Sequence, residues 1–225
     1  MSDFNVEVLE VRRKRDRETG RLVREEWVDA SGELHRDDGP ALQEFDPTTG
    51  RLARRVYFLH GRMDRRDGPA VECWDPDTGA KIEERYCRDN HTNRGKTHLV
   101  AHWKRSPVSG VLTLEDRAFD GLLHCEDGPM VIERDPISGL VTVEEWFLNG
   151  SPHRDGPQAA IIHRDGATGI VYREEHWKHG QRHAAQGPAI VDRDPESGEV
   201  TSTEYWRDGE KVGGPHADID RALEP

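Results

Sequence analysis

The segment His124–Glu145, H-C-E-D-G-P-M-V-I-E-R-D-P-I-S-G-L-V-T-V-E-E, is followed by Trp146. It contains, in order, a D-G-P turn, a short apolar run, a D-P-x-[S/T]-G turn, and a strand ending in paired acids and an aromatic. Outward from it the same order recurs in both directions. The turn glycines fall at Gly20, Gly50, Gly79, Gly110, Gly139, Gly169 and Gly198, at intervals of 30, 29, 31, 29, 30 and 29 residues. Between them run Gly39, Gly68, Gly128, Gly156, Gly187 and Gly214, each followed directly by proline. Two interleaved combs at one period identify a repeat protein, in which each unit contacts mainly its neighbours.

The chemistry of the turns predicts what each unit is. In D-P-x-[S/T]-G the aspartate accepts backbone hydrogen bonds, proline presets φ for a type I turn, and the last glycine takes the left-handed position of a bulge. Alternating, β-branched segments flank it, as in Val6–Val11 (V-E-V-L-E-V) and Arg21–Val28 (R-L-V-R-E-E-W-V). Proline after glycine in the D-G-P turns starts the next strand extended. Each repeat is expected to hold one strand of about five residues and a return strand of about eight. The expected fold is all-β: an elongated array of about seven antiparallel β-hairpin repeats of 29–31 residues forming a twisted single-layer sheet, one domain over 1–225. Within it, 1–33 is an incomplete first repeat, 88–105 a degenerate one and 216–225 a C-terminal cap.

Composition agrees with a thin sheet. Hydrophobic residues make up 33% and charged residues 34% of the chain, which is little for a thick core. The net charge of −12 argues against nucleic-acid phosphates or anionic lipid as direct partners and favours a basic protein. Three cysteines, Cys73, Cys87 and Cys125, form no C-x-x-C pair and read as reduced thiols, hence a cytoplasmic chain. No apolar leader or membrane span is legible.

The return strands carry the candidate site. Seven residues after six of the seven turn glycines come Trp27, Tyr57, Tyr86, Trp146, His176 and Tyr205, and next to them Phe58, Phe147, Trp177 and Trp206, read as a packing spine. Just before them recur acids: Glu25 and Glu26, Glu83 and Glu84, Glu115 and Asp116, Glu144 and Glu145, Glu174 and Glu175, and Glu204. Adjacent strand residues point to opposite faces, so the pairs are expected to build a carboxylate column on each. Arg36, Arg66, Arg154 and Arg182, beside the D-G-P turns, are the expected counter-charges. The partner-binding residues expected from this are Glu25, Glu26, Glu84, Glu115, Glu144, Glu145, Glu174, Glu175 and Glu204.

Catalytic readings carry little. His35 with Asp38, His124 with Asp127 and His153 with Asp155 recur at the repeat period, which suits hydrogen bonds to the turn backbone better than an active site. His98 and His102 with Cys87 and His91 match no zinc spacing, and no phosphate loop or dinucleotide fingerprint occurs. No catalytic residue, metal or cofactor is expected. The stretch Cys87–Arg105 lacks D-G-P and concentrates base in Arg88, Arg94, Lys96, Lys104 and Arg105, as a decayed repeat or a recognition patch.

The segments L-H-R-D-D-G-P-A (Leu34–Ala41), M-D-R-R-D-G-P-A (Met63–Ala70) and P-H-R-D-G-P (Pro152–Pro157), with E-E-W-F-L-N-G (Glu144–Gly150) and E-H-W-K-H-G (Glu175–Gly180), resemble MORN-like repeats. They are most similar to those of the YwqK-type MORN-repeat antitoxin family. The resemblance covers nearly the whole chain and implies a repeated β-hairpin scaffold. The period departs from that of ordinary MORN repeats, so lipid binding is not carried over. The resemblance and the charge together imply a non-catalytic antitoxin, immunity or inhibitor-like protein. The alternatives are a scaffold that self-associates through its edge strands and an acidic mimic of nucleic acid acting on a defence factor.

Overall fold

The computed structural model describes residues 8–92, 100–119, 122–123 and 128–214, with the backbone alone of 118–119 and 122–123. It is all-β, and its strands pair antiparallel throughout. The chain divides into two compact units, Met1–Gly110 and Val111–Pro225. In the first, the main strands follow chain order: Glu10–Arg15, Leu22–Val28, Leu42–Phe45, Leu52–Val56, Val71–Trp74, Lys81–Arg85 and His102–Arg105. In the second they are Leu112–Asp116, Val131–Arg134, Val141–Glu145, Ile161–Arg164, Val171–Glu175, Ile190–Arg193, Val200–Arg207 and Glu210–Val212. The expected cap at 216–225, and Arg94, Lys96, His98, His124, Cys125 and Asp127, lie outside the described residues.

The D-P turns form as their sequence predicts. At Asp46 the carboxylate accepts the amides of Thr48 (3.0 Å) and Thr49 (2.6 Å) and the Thr49 hydroxyl (2.9 Å). The Gly50 amide donates to the Asp46 carbonyl at 2.8 Å, and Gly50 sits at φ +73°. Asp16, Asp75, Asp165 and Asp194 repeat this geometry. The turn Ser106–Gly110 keeps the shape with a weaker acceptor, the Ser106 hydroxyl taking the Ser109 amide at 3.2 Å. The residue after the turn glycine reaches the next turn. Arg21 donates to the Thr48 carbonyl and Arg51 to that of Asp77, whereas Leu140 and Ile170 pack their side chains against Gly169 and Gly198.

The return strands are shorter than expected. Leu52–Val56, Lys81–Arg85, Val141–Glu145 and Val171–Glu175 have five residues each. One residue later the chain enters a second, two-residue hairpin: Phe58–Leu59 with Arg62–Met63, Phe147–Leu148 with Ser151–Pro152, Trp177–Lys178 with Gln181–Arg182. Its turn has two left-handed residues, His60 (φ 45°) and Gly61 (72°), Asn149 (50°) and Gly150 (79°), His179 (47°) and Gly180 (78°). That is the type I′ turn demanded by the right-handed strand twist, and it favours Asn or Asp followed by Gly. In the last repeat Val200–Arg207 keeps the full eight residues into the Asp208–Gly209 turn.

Adjacent repeats are joined twice. Along the main strands the Trp27, Tyr57, Tyr86, Trp146 and His176 amides donate to the carbonyls of Ala41, Ala70, Ala101, Ala160 and Ala189 at 2.7–2.8 Å. These alanines are fully buried. Where Arg117 replaces the aromatic, Met130 replaces the alanine and is buried as completely. The small hairpins make the second join: Gly61 to Leu34 (2.9 Å), Asn90 to Met63 (3.0 Å), Gly180 to Pro152 (3.0 Å) and Gly209 to Arg182 (3.1 Å). In the first unit Leu42, Val56 and Val71 form the core, with Phe58 and Met63 of the small hairpin packed on it.

The recurrent histidine closes the second join. His35 Nδ1 accepts the His60 amide (3.1 Å), His153 Nδ1 that of His179 (3.1 Å), and His183 Nδ1 that of Asp208 (3.2 Å). Through Nδ1 these histidines bond the next repeat's type I′ turn and not the backbone of their own D-G-P turn as expected, while His153 Nε2 stays 3.4 Å from the Asp155 carboxylate of its own turn. The rings of His35 and His60 stack at 4.0 Å, and those of His153 and His179 at 4.4 Å. In the second repeat an Asp64 oxygen takes the same role toward the Asp89 amide (3.0 Å).

Two outcomes follow. His153→Ala removes a buried acceptor and a stacked ring and should cost about 2 kcal/mol in urea unfolding, with His153→Asn losing less because a short oxygen acceptor serves at Asp64. Ser106→Asp should raise the thermal midpoint by about 2 °C at pH 7 by installing the acceptor of the other turns. The turn aspartates are held below the usual carboxylate range by backbone amides or Ser/Thr hydroxyls. Their stabilisation is present above the unfolded aspartate pKa and lost as pH falls through the lower folded values. The gain from Ser106→Asp should accordingly vanish in strong acid.

Candidate functional site

The strand register places the acids as the alternation rule requires. In the second unit one row reads Asp116, Val131, Glu145, Ile161, Glu175, Ile190, Glu204 across successive strands. The neighbouring row, on the opposite face, reads Glu115, Ile132, Glu144, Ile162, Glu174, Val191, Thr203. Acid and aliphatic therefore alternate at strand spacing, about 4.8 Å. In the first unit Glu26 and Glu25 take the corresponding two faces opposite Leu42 and Gln43, and Glu84 lies opposite Glu72 and Trp103.

The counter-charges come from the strands. Arg134 meets Glu115, Arg164 meets Glu144 and Arg193 meets Glu174, each at 2.6 Å, one repeat apart. Each of these arginines directly precedes the turn aspartate, Asp135, Asp165 or Asp194. Arg13 pairs with Glu25 (2.6 Å), Arg24 with Glu26 (2.6 Å), Lys81 with Glu84 (2.6 Å), Arg173 with Glu175 (2.7 Å) and Lys211 with Glu204 (3.1 Å). The indole N–H groups of Trp27, Trp103, Trp177 and Trp206 donate to Glu25, Glu84, Glu175 and Glu204. Of the nine expected residues, Glu145 is the one with no cation within ion-pair distance among the described residues.

The arginines expected to neutralise the acids do something else. Arg36 lies over the Trp27 ring at 4.1 Å and Arg154 over Trp146 at 3.9 Å, while Arg182 sits between Trp177 (5.2 Å) and Trp206 (5.3 Å). In the second repeat Arg65, not Arg66, covers Tyr57 at 3.9 Å. Of the four, Arg36 pairs with Asp38 of its own turn (2.8 Å), and Arg182 approaches a site acid, Glu175, at 3.8 Å. Their place beside the turn points the guanidinium across the aromatic spine, where cation–π attraction adds to the burial of the ring.

One acid escaped the sequence reading. Glu72 is 2% exposed and is held by Arg55 (2.5 Å), Lys81 (2.7 Å) and Arg65 (3.2 Å). Burial pushes its carboxyl up, but the hydrogen bonds from Arg55 and Lys81 outweigh that and hold it below the ordinary glutamate range. It stands where the other repeats place Gln43, Ile132, Ile162 or Val191, and only that break in the apolar pattern could have signalled it. Glu145 is the reverse case. Burial first, then the charges of Glu133 and Asp116 on the same face, push its carboxyl up.

Burial, aided by the charge of Glu83, raises the Cys73 thiol to about 11, and burial raises Cys87 as well, so both are protonated at neutral pH. His102 Nε2 engages Glu83 at 2.9 Å, and His91 lies exposed in a two-residue strand. No three His, Cys, Asp or Glu side chains converge among the described residues in a way that could hold a metal ion. Searches with the sequence and the structure find no matching protein-family model, curated protein or solved structure.

Glu72→Ala, which strands three cations at a buried position, should cost about 3 kcal/mol. Glu145→Gln should act oppositely. A carboxyl whose folded pKa is raised above its unfolded value destabilises the fold above that range and not below it. The substitution should therefore raise the thermal midpoint at pH 7 and leave it unchanged near pH 3.

Proposed function

We propose that this chain is a binding protein that acts without catalysis, of the antitoxin, immunity or inhibitor kind that its MORN-like repeats resemble. It would cover a basic protein partner in the cytoplasm through the face that carries Glu115, Glu144 and Glu174. The observation that carries this reading is the alternating acid and aliphatic row on that face, Glu115, Ile132, Glu144, Ile162, Glu174, Val191. The strand ladder repeats one small chemical unit at fixed spacing, and such a comb suits an extended surface better than a single reacting atom. Glu144 and Glu174 are about a quarter exposed, as are Arg164 and Arg193 beside them. A partner's lysines or arginines could share these carboxylates while its apolar groups cover the isoleucines. Complementary charge of this sort raises encounter rates and selects the partner.

The pairing of the acids favours this reading over a mimic of nucleic acid, whose carboxylates would have to stand unneutralised. It is also favoured over an edge-to-edge scaffold. The outer strand of the first unit, Glu10–Arg15, carries Arg12, Arg13, Lys14 and Arg15, and charge on an edge strand opposes pairing with another chain.

The test is affinity capture from the native host's lysate at low and moderate salt, with wild type beside the Glu144→Lys, Glu174→Lys double variant. These ion pairs are near the surface, so the variant should stay folded, as circular dichroism would verify. One dominant basic protein, retained by wild type and lost by the variant at equal folding, is the expected result. Recovery of the chain alone, concentration-dependent in sedimentation, would replace this reading with self-assembly.

A further inference from the structure

At Ala184 the arginine that covers the aromatic spine is absent, and a cavity takes its place. Arg36, Arg65 and Arg154 occupy one structural position, each donating its backbone amide to the next small hairpin, at Phe58 (3.1 Å), Cys87 (3.4 Å) and Trp177 (3.3 Å). Their guanidinium groups lie over Trp27, Tyr57 and Trp146. In the following repeat the same amide bond runs from Ala184 to Trp206 at 3.3 Å. Ala184 therefore stands at the arginine position, and the ring it leaves uncovered is His176.

Two loops flank the gap, and one of them is a residue longer than its sisters. His153 and Ala160 are seven positions apart, whereas His35 and Ala41, and His183 and Ala189, are six apart. The extra residue shifts the glycine, so that Gly156 takes φ +88°, and Gly187 across the gap takes +71°. Gly39, Gly68 and Gly128 of the other loops do not adopt a left-handed φ. Between these loops lies a cavity of about 420 Å³ whose lining includes Arg154, Gln158, His176, Trp177, Lys178 and Ala184.

Its electrostatics are unlike the rest of the chain. Arg36 pairs with Asp38, Arg65 with Glu72 and Arg182 with Glu175, but no carboxylate lies within ion-pair distance of Arg154 or Lys178 among the described residues. Arg154 is half-buried and satisfies one guanidinium nitrogen on the Ala159 carbonyl (3.0 Å). Burial lowers its pKa and outweighs the opposing charge of Glu144, which lies beyond ion-pair distance. Asp155 is the lining carboxylate, and its side chain is 93% exposed, with His153 Nε2 at 3.4 Å. The His176 ring is fixed by contacts of Nε2 with the Pro157 carbonyl (3.1 Å) and of Nδ1 with that of Ala189 (3.4 Å). Two cations outside ion-pair distance of any described carboxylate, the rings of His176 and Trp177, the amides of Gln158 and Gln186 and the outward-facing Asp155 thus line one partly open cavity on a chain of net charge −12.

We propose that this cavity binds a small molecule carrying an anionic group, carboxylate or phosphate, on a flat ring. The ring would lie against His176 and Trp177, in the volume that a guanidinium fills in the sister repeats, and the anion would face Arg154 and Lys178. Charge-assisted hydrogen bonds from a guanidinium and an ammonium fix such a group, and the rings supply the apolar contact.

Calorimetric titration of the full chain tests this with phenyl phosphate, benzoate, inorganic phosphate and benzamidine. At least one of phenyl phosphate and benzoate should bind about tenfold more tightly than inorganic phosphate and benzamidine, and which of the two is tighter identifies the anion. Ala184→Arg returns the sister-repeat side chain to the slot and should abolish binding with an unchanged thermal midpoint. Should that variant not fold, Lys178→Glu, at an exposed position, should still weaken binding about tenfold. Tighter binding of benzamidine, saturation by no probe, or affinity unchanged in a folded variant would overturn the proposal. None of these readouts depends on a protein partner, so the site and the sheet face stand or fall separately.

Discussion

Each repeat leaves a set of backbone amides that only its neighbour can satisfy. The return strand ends in an aromatic whose N–H is directed at the next repeat's buried alanine. The small hairpin that follows presents its turn amide to the preceding repeat's histidine. Buried backbone groups left unpaired are costly, so one repeat alone cannot close. Everything else is subordinate to that dependence. The alanine is small because another main chain lies against it, and methionine replaces it only where Arg117 replaces the aromatic. The left-handed His–Gly and Asn–Gly turns are needed because the amide has to emerge at the apex of the small hairpin. Stability then resides in repeat-to-repeat interfaces more than in any one core.

Such a frame explains how a chain so poor in apolar residues is ordered. Buried side chains are few and mostly small. The remaining surface of each strand is closed by charged side chains lying flat. Arginines before the hairpin-turn aspartate reach a glutamate one repeat back, and arginines beside D-G-P reach an aromatic ring. A single exposed ion pair contributes little. Here each cation also shields strand hydrogen bonds or a ring face with its aliphatic stem, and recurrence multiplies the effect. Glu72 shows the limit of the device: a fully buried carboxylate is tolerated because three cations converge on it. Glu145, beside Glu133 and Asp116, has no such compensation.

How much of this could be read from the residues depends on the distance over which each feature is determined. The D-P-x-[S/T]-G hairpins were legible because Asp, Pro and Gly fix them within five positions. The opposite faces of Glu144 and Glu145 followed from strand alternation alone. The small hairpins were encoded just as locally, in L-H-G-R, L-N-G-S and K-H-G-Q, but they lay inside what read as one long return strand. The counter-charges were not local. Arg36 and Arg154 are next to the turns in sequence, yet their partners depend on how the small hairpin folds back. The Arg164–Glu144 pair is a consequence of register between strands twenty residues apart. Arg94, Lys96 and His98, in the degenerate stretch, lie outside the described residues.

In an array of near-identical units, a shared side chain reports what the fold requires and a departure reports what the fold alone does not explain. The arginine over the spine is shared by Arg36, Arg65 and Arg154, and it binds a ring that would otherwise face water. Replacing it by Ala184 gives up that cation–π contact. The neighbouring loop is lengthened by a residue and flanks the space where the lost side chain would sit. Neither change repairs the other, since a longer loop does not cover His176. Packing alone favours small, mutually compensating changes, as at Arg117 and Met130. Two changes that meet at the same space, beside two cations with no carboxylate in ion-pair distance among the described residues, are better explained by an occupant than by drift of one repeat.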